Sequence, residues 1–191
     1  KLNKINGLFE VAAGIYQVRG YDLTSMSLIK SDTGWIIIDP MMTVETARAA
    51  MDLVNRTLGY YPVKAVIYSH PHVDHYQGGK GVITEKQVAS GEVEVIAPAG
   101  FMDHAISENV YAGTAMQRRG MYMYGGLLPH DEKGLVDNGL GKRTPFGSAS
   151  LIAPTIDITE TGQNLTIDGV DMQRQVGQRR TRDSPPVRRR S

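Results

Sequence analysis

Residues 66 to 81 read VIYSHPHVDHYQGGKG and hold three of the chain's five histidines and one aspartate within six positions. His70, His72, Asp74 and His75 spell H-x-H-x-D-H. Two apart on extended chain, His70 and His72 point to one side and can grip one ion together. Asp74 and His75 are adjacent, so a turn there can direct them toward a second ion. Imidazole and carboxylate without sulfur suit zinc, manganese or iron(II) rather than calcium or magnesium. Such a pair of ions lowers the pKa of bound water, gives hydroxide near neutral pH and clamps an anionic substrate. The competing reading is a histidine-rich surface loop. It accounts for one histidine more easily than for four ligand-type residues directly behind an apolar strand.

The elements that must position this cluster are legible on either side of it. GWIIIDP (34–40) is a short apolar run closed by Asp39-Pro40, the mark of a buried strand ending at a sheet edge. Val44, Ala47, Met51, Val54 and Leu58 then recur at helical spacing, with Thr43 as N-cap and Gly59 and Pro62 as stop signals. VKAVIYS (63–69) is a second buried strand feeding the histidines. Strand–helix–strand builds parallel sheet, and chemistry collects at the carboxyl ends of such strands. Asp39 and His70 both fall at that edge.

Strands are also expected over GIYQVRG (14–20), SMSLIKS (25–31) and VEVIAP (93–98). Residues 100–125 read as helix broken at Gly113 and Gly120, and 126–150 as an extended loop rich in glycine, proline and charge. TIDITETG (155–162) and NLTIDGVDMQ (164–173) alternate apolar and polar residues, as a hairpin or two edge strands would.

At 191 residues the chain suits one domain able to bury a real core. No apolar stretch approaches the roughly 20 residues needed to span a bilayer. The absence of cysteine excludes disulfides, thiolate nucleophiles and cysteine-ligated zinc. The chain starts at Lys1, so the sequence assigns no compartment, and exported and cytosolic locations both fit. The net charge of +1 conceals a basic end: from Arg174 to Ser191 there are seven arginines and one acid. The rest of the chain is therefore mildly acidic.

H-x-H-x-D-H after an apolar strand resembles the signature of the metallo-β-lactamase superfamily, an α/β fold built as an αβ/βα sandwich. Its members hydrolyse lactams, thioesters, phosphodiesters and sulfate esters. Further stretches, among them GIYQVRGYDLTSMSLIKSDTGWIIIDP, EVIAPAGFMDHAISENVYAGTAMQRRGMYMYGGLLP and SLIAPTIDITETGQNLTIDGV, resemble the alkylsulfatase branch from about Gly7 to Val170. R-R-x-x-Y-x-Y-G (118–125) is more specific to that branch than the histidine motif; Gln77 departs from the glycine usual there.

The resemblance implies zinc-dependent hydrolysis of alkyl sulfate esters to alcohol and inorganic sulfate. His70 and His72 would hold one zinc, Asp74 and His75 the other, and Asp39 would orient a ligand or a water. Arg118 and Arg119 are candidates for the sulfate head group, since arginine presents a forked donor set to oxyanions. A solvated helix face is their plainer role. Tyr122 and Tyr124, with Met116, Met121 and Met123, would line an apolar slot for the alkyl chain, or pack as ordinary core. His104 and His130 read as surface residues. A homodimer is implied for full-length relatives, and no nucleic-acid partner.

The family's remaining ligands are acidic residues and a histidine further along the chain, and the only later histidines, His104 and His130, come too early. Residues 1–172 are thus expected to be an incomplete catalytic domain, the N-terminal part of the sandwich with an apolar face or edge left uncovered. Residues 173–191 are expected to be an Arg-rich disordered tail, read as a frameshift or truncation rather than as a basic arm for nucleic acid or membrane. Two other outcomes stay open: a related hydrolase of another ester, lactam or phosphodiester, and a catalytically dead fragment or basic-tailed binding module.

Overall fold

The computed structural model describes residues 5–138 and 143–174. Seven strands form one sheet in chain order: β1 (Gly7–Ala12), β2 (Ile15–Arg19), β3 (Met26–Lys30), β4 (Trp35–Ile38), β5 (Val63–Ile67), β6 (Glu94–Pro98) and β7 (Ile156–Ile158). The first four pair antiparallel as a meander, and β4 through β7 run parallel. The parallel half needs crossovers. Helix α1 (Val44–Leu58) joins β4 to β5, and α2 (Glu85–Ala89) lies between β5 and β6. Helices α3 (Phe101–Ile106) and α4 (Gly113–Met123) follow β6. Strand β1 had no clear signal in the sequence, because GLFEVA does not alternate and only half of it is covered.

Strand alternation sorts the apolar residues onto two faces. Leu28, Trp35, Ile37, Val66, Tyr68, Val95 and Ala97 meet α1 through Ala47, Ala50, Met51 and Val54. Ile36, Ala65, Ile67, Ile96 and Ile158 point the other way. Thr43 caps α1 by accepting from the Thr46 N–H at 3.2 Å, and Gly59 ends it with φ of +87°, as the sequence predicts.

Of the expected uncovered face or edge, the edge is found: β7 ends the sheet with no strand on its far side among the described residues. The second face is covered. A hairpin of β8 (Gln163–Ile167) and β9 (Val170–Arg174) lies over it, bringing Ile167, Leu165, Val170 and Met172 onto the isoleucines. The sequence left 155–162 and 164–173 open between a hairpin and two edge strands, and the two segments do not pair with each other. Instead Ile156–Ile158 adds to the main sheet beside β6, and the turn is Asp168-Gly169. Both turn residues are left-handed, with φ of +43° and +80°, the combination of a type I′ turn. The Asp168 carboxylate accepts from the Ser31 hydroxyl at 2.6 Å and from the Thr33 N–H and hydroxyl at 2.8 Å each. These bonds latch the hairpin to the β3–β4 turn.

Two other expectations shift. The helix after β6 breaks at Ala112, through a π-turn over Ser107–Tyr111, and Gly120 lies inside α4. The loop after α4 carries no helix or strand among its described residues, as its composition predicts. Gln173 and Arg174 extend β9; the remainder of the Arg-rich tail lies outside the described residues. No helix among the described residues is long and apolar enough to cross a membrane.

The hairpin latch gives two measurable consequences. A Cβ at Gly169 would strike the Asp32 carboxylate in a backbone conformation that L side chains resist. Gly169→Ala should therefore lower stability by more than about 1 kcal/mol in urea unfolding. The Ser31 and Thr33 bonds hold the Asp168 carboxyl down to about 2, from an ordinary 3.8. Its contribution is complete above that ordinary value and disappears as pH falls through about 2. Asp168→Asn should narrow the stability gap to wild type over the same window.

Candidate metal centre

The parallel register sets the carboxyl ends of β4 and β5 side by side. The Asp39 N–H donates to the Ile67 carbonyl at 2.9 Å, one step beyond the regular strand. The backbone then leaves the sheet through two left-handed residues, Asp39 at φ +56° and Met41 at φ +66°. Aspartate tolerates that region better than most residues. The turn aims its carboxylate across at the neighbouring strand. There it accepts from the Ser69 N–H at 2.8 Å, the Ser69 hydroxyl at 2.7 Å and His75 Nδ1 at 2.7 Å.

The histidine loop is held close to the sheet from below. Val73–His75 form one 3-10 turn, with the His75 N–H bonded to the His72 carbonyl at 3.0 Å. Tyr76 is buried against Tyr68 and Phe101. The glycines that close the motif are needed for close approach. The Gly78 N–H bonds the Met41 carbonyl at 2.9 Å, and a Cβ on Gly78 would overlap the Pro40 carbonyl oxygen. Gly81 sits equally tightly on the first turn of α1.

The loop brings all four motif residues together with Asp39. The His70 and His75 rings lie 4.0 Å apart, and the His70 and His72 rings 4.5 Å apart. Asp74 Oδ2 turns back to within 3.3 Å of His75 Nε2, and the Thr24 hydroxyl lies 3.5 Å from the same nitrogen. Asp74 and His75 thus converge on each other.

The hydrogen-bond order assigns the protons. Ser69 gives its hydroxyl proton to Asp39, so the oxygen accepts from His70 Nδ1 at 2.9 Å. His70 Nε2 is then a bare lone pair. It faces His72 Nδ1 at 3.0 Å, while the other nitrogen of His72 faces the Glu108 carboxylate at 3.6 Å. The 3.0 Å contact is a hydrogen bond, so with His70 Nε2 bare it is His72 Nδ1 that donates; an ion held by both nitrogens would take the place of that proton.

At His75, burial alone would lower the pKa. The hydrogen bonds and charges of Asp39 and Asp74 outweigh it and raise the pKa to about 9. Burial and the neighbouring His75 and His72 push His70 down. Asp74 is lowered: its burial opposes this, but the His75 hydrogen bond and charge prevail.

These nitrogen and oxygen donors fit a borderline metal ion in two pairs, His70 with His72 and Asp74 with His75. Among the described residues, no group of three or more such side chains forms a ligand set for a metal ion.

The other sequence candidates lie apart. Arg118 and Arg119 are exposed on α4, with Arg119 reaching only the Met116 sulfur at 4.0 Å. Tyr122 is exposed, and Tyr124 half-buried. No hydrogen bond or ion pair among the described residues joins these four to the histidines. Met121 and Met123 are also exposed, so α4 is not packed as core. His104 is exposed and lines a cleft with Pro71, His72, Ser107 and Glu108. His130 is exposed near Arg143.

Sequence reasoning missed Ser69, Thr24 and Glu108, which carry no local signal as isolated polar residues. It also missed Asp22, which is buried and pushed up by that burial despite hydrogen bonds from Thr46, Met42, Leu23 and Thr24. Asp22 ties the loop bearing Thr24 to the start of α1 through the Thr46 hydroxyl at 2.6 Å and the Met42 N–H at 3.0 Å. Asp22→Ala would take the acceptor from the Met42 N–H and leave the Thr46 hydroxyl only its contacts with Thr43. It should cost about 1–3 kcal/mol in urea unfolding.

Known proteins place this geometry. A family model for the metallo-beta-lactamase superfamily matches residues 19–167. A linear primary-alkylsulfatase of Pseudomonas sp. is 52% identical over 170 residues, 89% of this chain and 25% of the relative. An alkyl/aryl-sulfatase of Saccharomyces cerevisiae is 49% identical over 171 residues, 90% of this chain and 26% of the relative. A solved structure of a stereoselective inverting sec-alkylsulfatase from Pseudomonas sp. superimposes with a TM-score of 0.86 at 47% identity. That match covers 91% of this chain and 28% of that one. The chain thus spans about a quarter of the length of the curated relatives it matches. Its parallel sheet, its histidine loop at the carboxyl edge and the family match agree: the chain belongs to the metallo-β-lactamase superfamily.

Proposed function

We propose that this chain carries the histidine-rich side of a two-zinc centre that hydrolyses alkyl sulfate esters to alcohol and inorganic sulfate. The observation behind the reading is the convergence of His70 Nε2 and His72 Nδ1, 3.0 Å apart, in a chain about half identical to alkylsulfatases. His70 and His72 would hold one zinc, and Asp74 and His75 the other. When bound, such ions supply the positive charge that acidifies water and offsets the charge of a sulfate group.

The chain's own residues prepare that site. Asp39 holds the Nδ1 proton of His75 and so turns Nε2 inward. Through Ser69 it does the same for His70, with Nδ1 spent on the serine and Nε2 facing the site. Hydrolysis consumes one water per ester and yields the alcohol and hydrogen sulfate, which gives up a proton to become inorganic sulfate. Arg118 and Arg119 are the candidates to meet the sulfate, and Tyr122 and Tyr124 the alkyl chain. Two donors per ion leave positions for further ligands and for substrate.

The test is a chimera in which residues 7–172 replace the aligned segment of the Pseudomonas linear primary-alkylsulfatase, assayed for sulfate release from dodecyl sulfate. Hydrolysis is expected. His70→Ala should cost it more than the roughly 10–100-fold typical of losing an outer partner of a ligand. A folded, metal-loaded chimera that cleaves a phosphodiester or lactam but not dodecyl sulfate would overturn the substrate.

In the 191-residue chain itself, Asp39→Asn should weaken zinc binding by roughly 10–100-fold, read by competition with a chromophoric chelator. Unchanged affinity would remove Asp39 from the centre.

A further inference from the structure

We infer that Asp22 is a positioning residue of the metal centre: from the loop between β2 and β3, its carboxylate fixes the turn that aims Asp39 at Ser69 and His75. The inference rests on the reading of the histidine cluster as a metal centre and adds to it a residue from a different part of the chain.

Asp22 is 1% exposed, and a carboxylate so placed is costly unless its oxygens are bonded. Its partners come from two segments. Oδ1 accepts from the Leu23 N–H, and the Thr24 N–H also donates to the carboxylate, so the side chain shapes its own loop as an aspartate turn does. Oδ2 reaches across to the chain after β4, where it accepts from the Met42 N–H at 3.0 Å and the Thr46 hydroxyl at 2.6 Å. The group therefore joins the β2–β3 loop to the segment that leaves the sheet beside the histidines.

The backbone of that segment gives independent support. Asp39 and Met41 are both left-handed, at φ +56° and +66°, and such residues persist only where the surroundings hold them from several sides. The Asp39 N–H on the Ile67 carbonyl anchors the turn where it leaves β4. The Met42 N–H on Asp22 anchors it where it enters α1. Between the two anchors, the Asp39 carboxylate takes the Ser69 N–H, and the buried Met41 gives its carbonyl to the Gly78 N–H at 2.9 Å. Slack at Met42 therefore reaches both ends of the histidine loop. The other arm of Asp22 leads to the same place, because the loop it shapes sets the Thr24 hydroxyl 3.5 Å from His75 Nε2.

The test measures amide hydrogen exchange in the metal-free 191-residue chain and, separately, cobalt(II) affinity followed by absorbance. Asp22→Ala removes every bond to the carboxylate. Asp22→Asn leaves one acceptor oxygen among the same donors and serves where the Ala variant does not fold. Gly169→Ala, which loosens the hairpin latch on the second face, is the control for lost stability alone. In the Asp22 variants the Ser69 and Gly78 N–H groups should exchange about 5-fold faster relative to the β5 amides, as the loss of one hydrogen bond would give. Cobalt(II) binding should weaken by roughly 10-fold. Gly169→Ala should change neither the exchange ratio nor the affinity. Ser69 and Gly78 exchange that stays in step with β5 in the Asp22 variants, or that rises equally in Gly169→Ala, overturns the role of Asp22. Faster exchange at unchanged cobalt(II) affinity, or no cobalt(II) binding in wild type, overturns the metal-centre reading instead, and the exchange ratio still decides whether Asp22 holds the turn.

Discussion

Asp39 joins two strand ends that would otherwise leave the sheet independently. Parallel neighbours such as β4 and β5 stop at the same edge, but nothing in the sheet ladder orients the loops that follow them. The Asp39 carboxylate does so by accepting the Ser69 N–H, the Ser69 hydroxyl and His75 Nδ1 within 2.8 Å. It meets one histidine directly and a second through the serine. Its left-handed backbone is the geometric condition for this, because a strand-like φ would continue the chain along the sheet. The strain is held by the bond from the Asp39 N–H to the Ile67 carbonyl and by the Met41 N–H on the Asp39 carbonyl.

The charges around that hub explain why the site asks for cations. Asp39, Asp74 and Glu108 stand among three imidazoles, and hydrogen bonds and charge from the first two push His75 up to about 9. A proton on His75 therefore satisfies both Asp39 and Asp74, and the place it occupies toward Asp74 is where a second ion would compete with it. Three carboxylates gathered at the cluster are an unfavourable surface for an anionic ester. Divalent ions reverse that sign. The sulfate-ester reading and the metal reading thus depend on each other through electrostatics as well as through kinship.

The sequence made the frame of this site legible because its signals are local. Thr43, the helical spacing from Val44 to Leu58 and the isoleucine run ending in Asp39 each follow from short-range rules, and the structure places them accordingly. The sequence left 155–162 and 164–173 open between a hairpin and two edge strands because both alternate, and alternation does not say which sheet a strand joins. The Asp168-Gly169 pair was the stronger turn signal, since it supplies two left-handed residues. The π-turn was missed because no sequence period encodes a single widened turn; Asn109 and Glu108 define it only through contacts 33 and 36 residues away. Ser69 and Glu108 act through partners that the fold supplies, so residue type and spacing alone do not distinguish them from ordinary polar residues.

A contiguous segment can bring only a few donors to one ion. Extended chain pairs residues two apart, as in His70 and His72, and a 3-10 turn pairs neighbours, as in Asp74 and His75. Further groups must arrive from other strand ends, and the parallel sheet delivers them at one edge. The segment after β4 gives Asp39, that after β5 gives Ser69 and the motif, and that after β6 gives Glu108 by way of the π-turn. Each successive crossover thus brings a further group to the cluster: the Asp39 carboxylate, then the motif residues, then the Glu108 carboxylate 3.6 Å from His72. The order of strands from β4 to β6 is in this sense the assembly order of the site, and the segment after β7 turns instead into the β8–β9 hairpin on the second face.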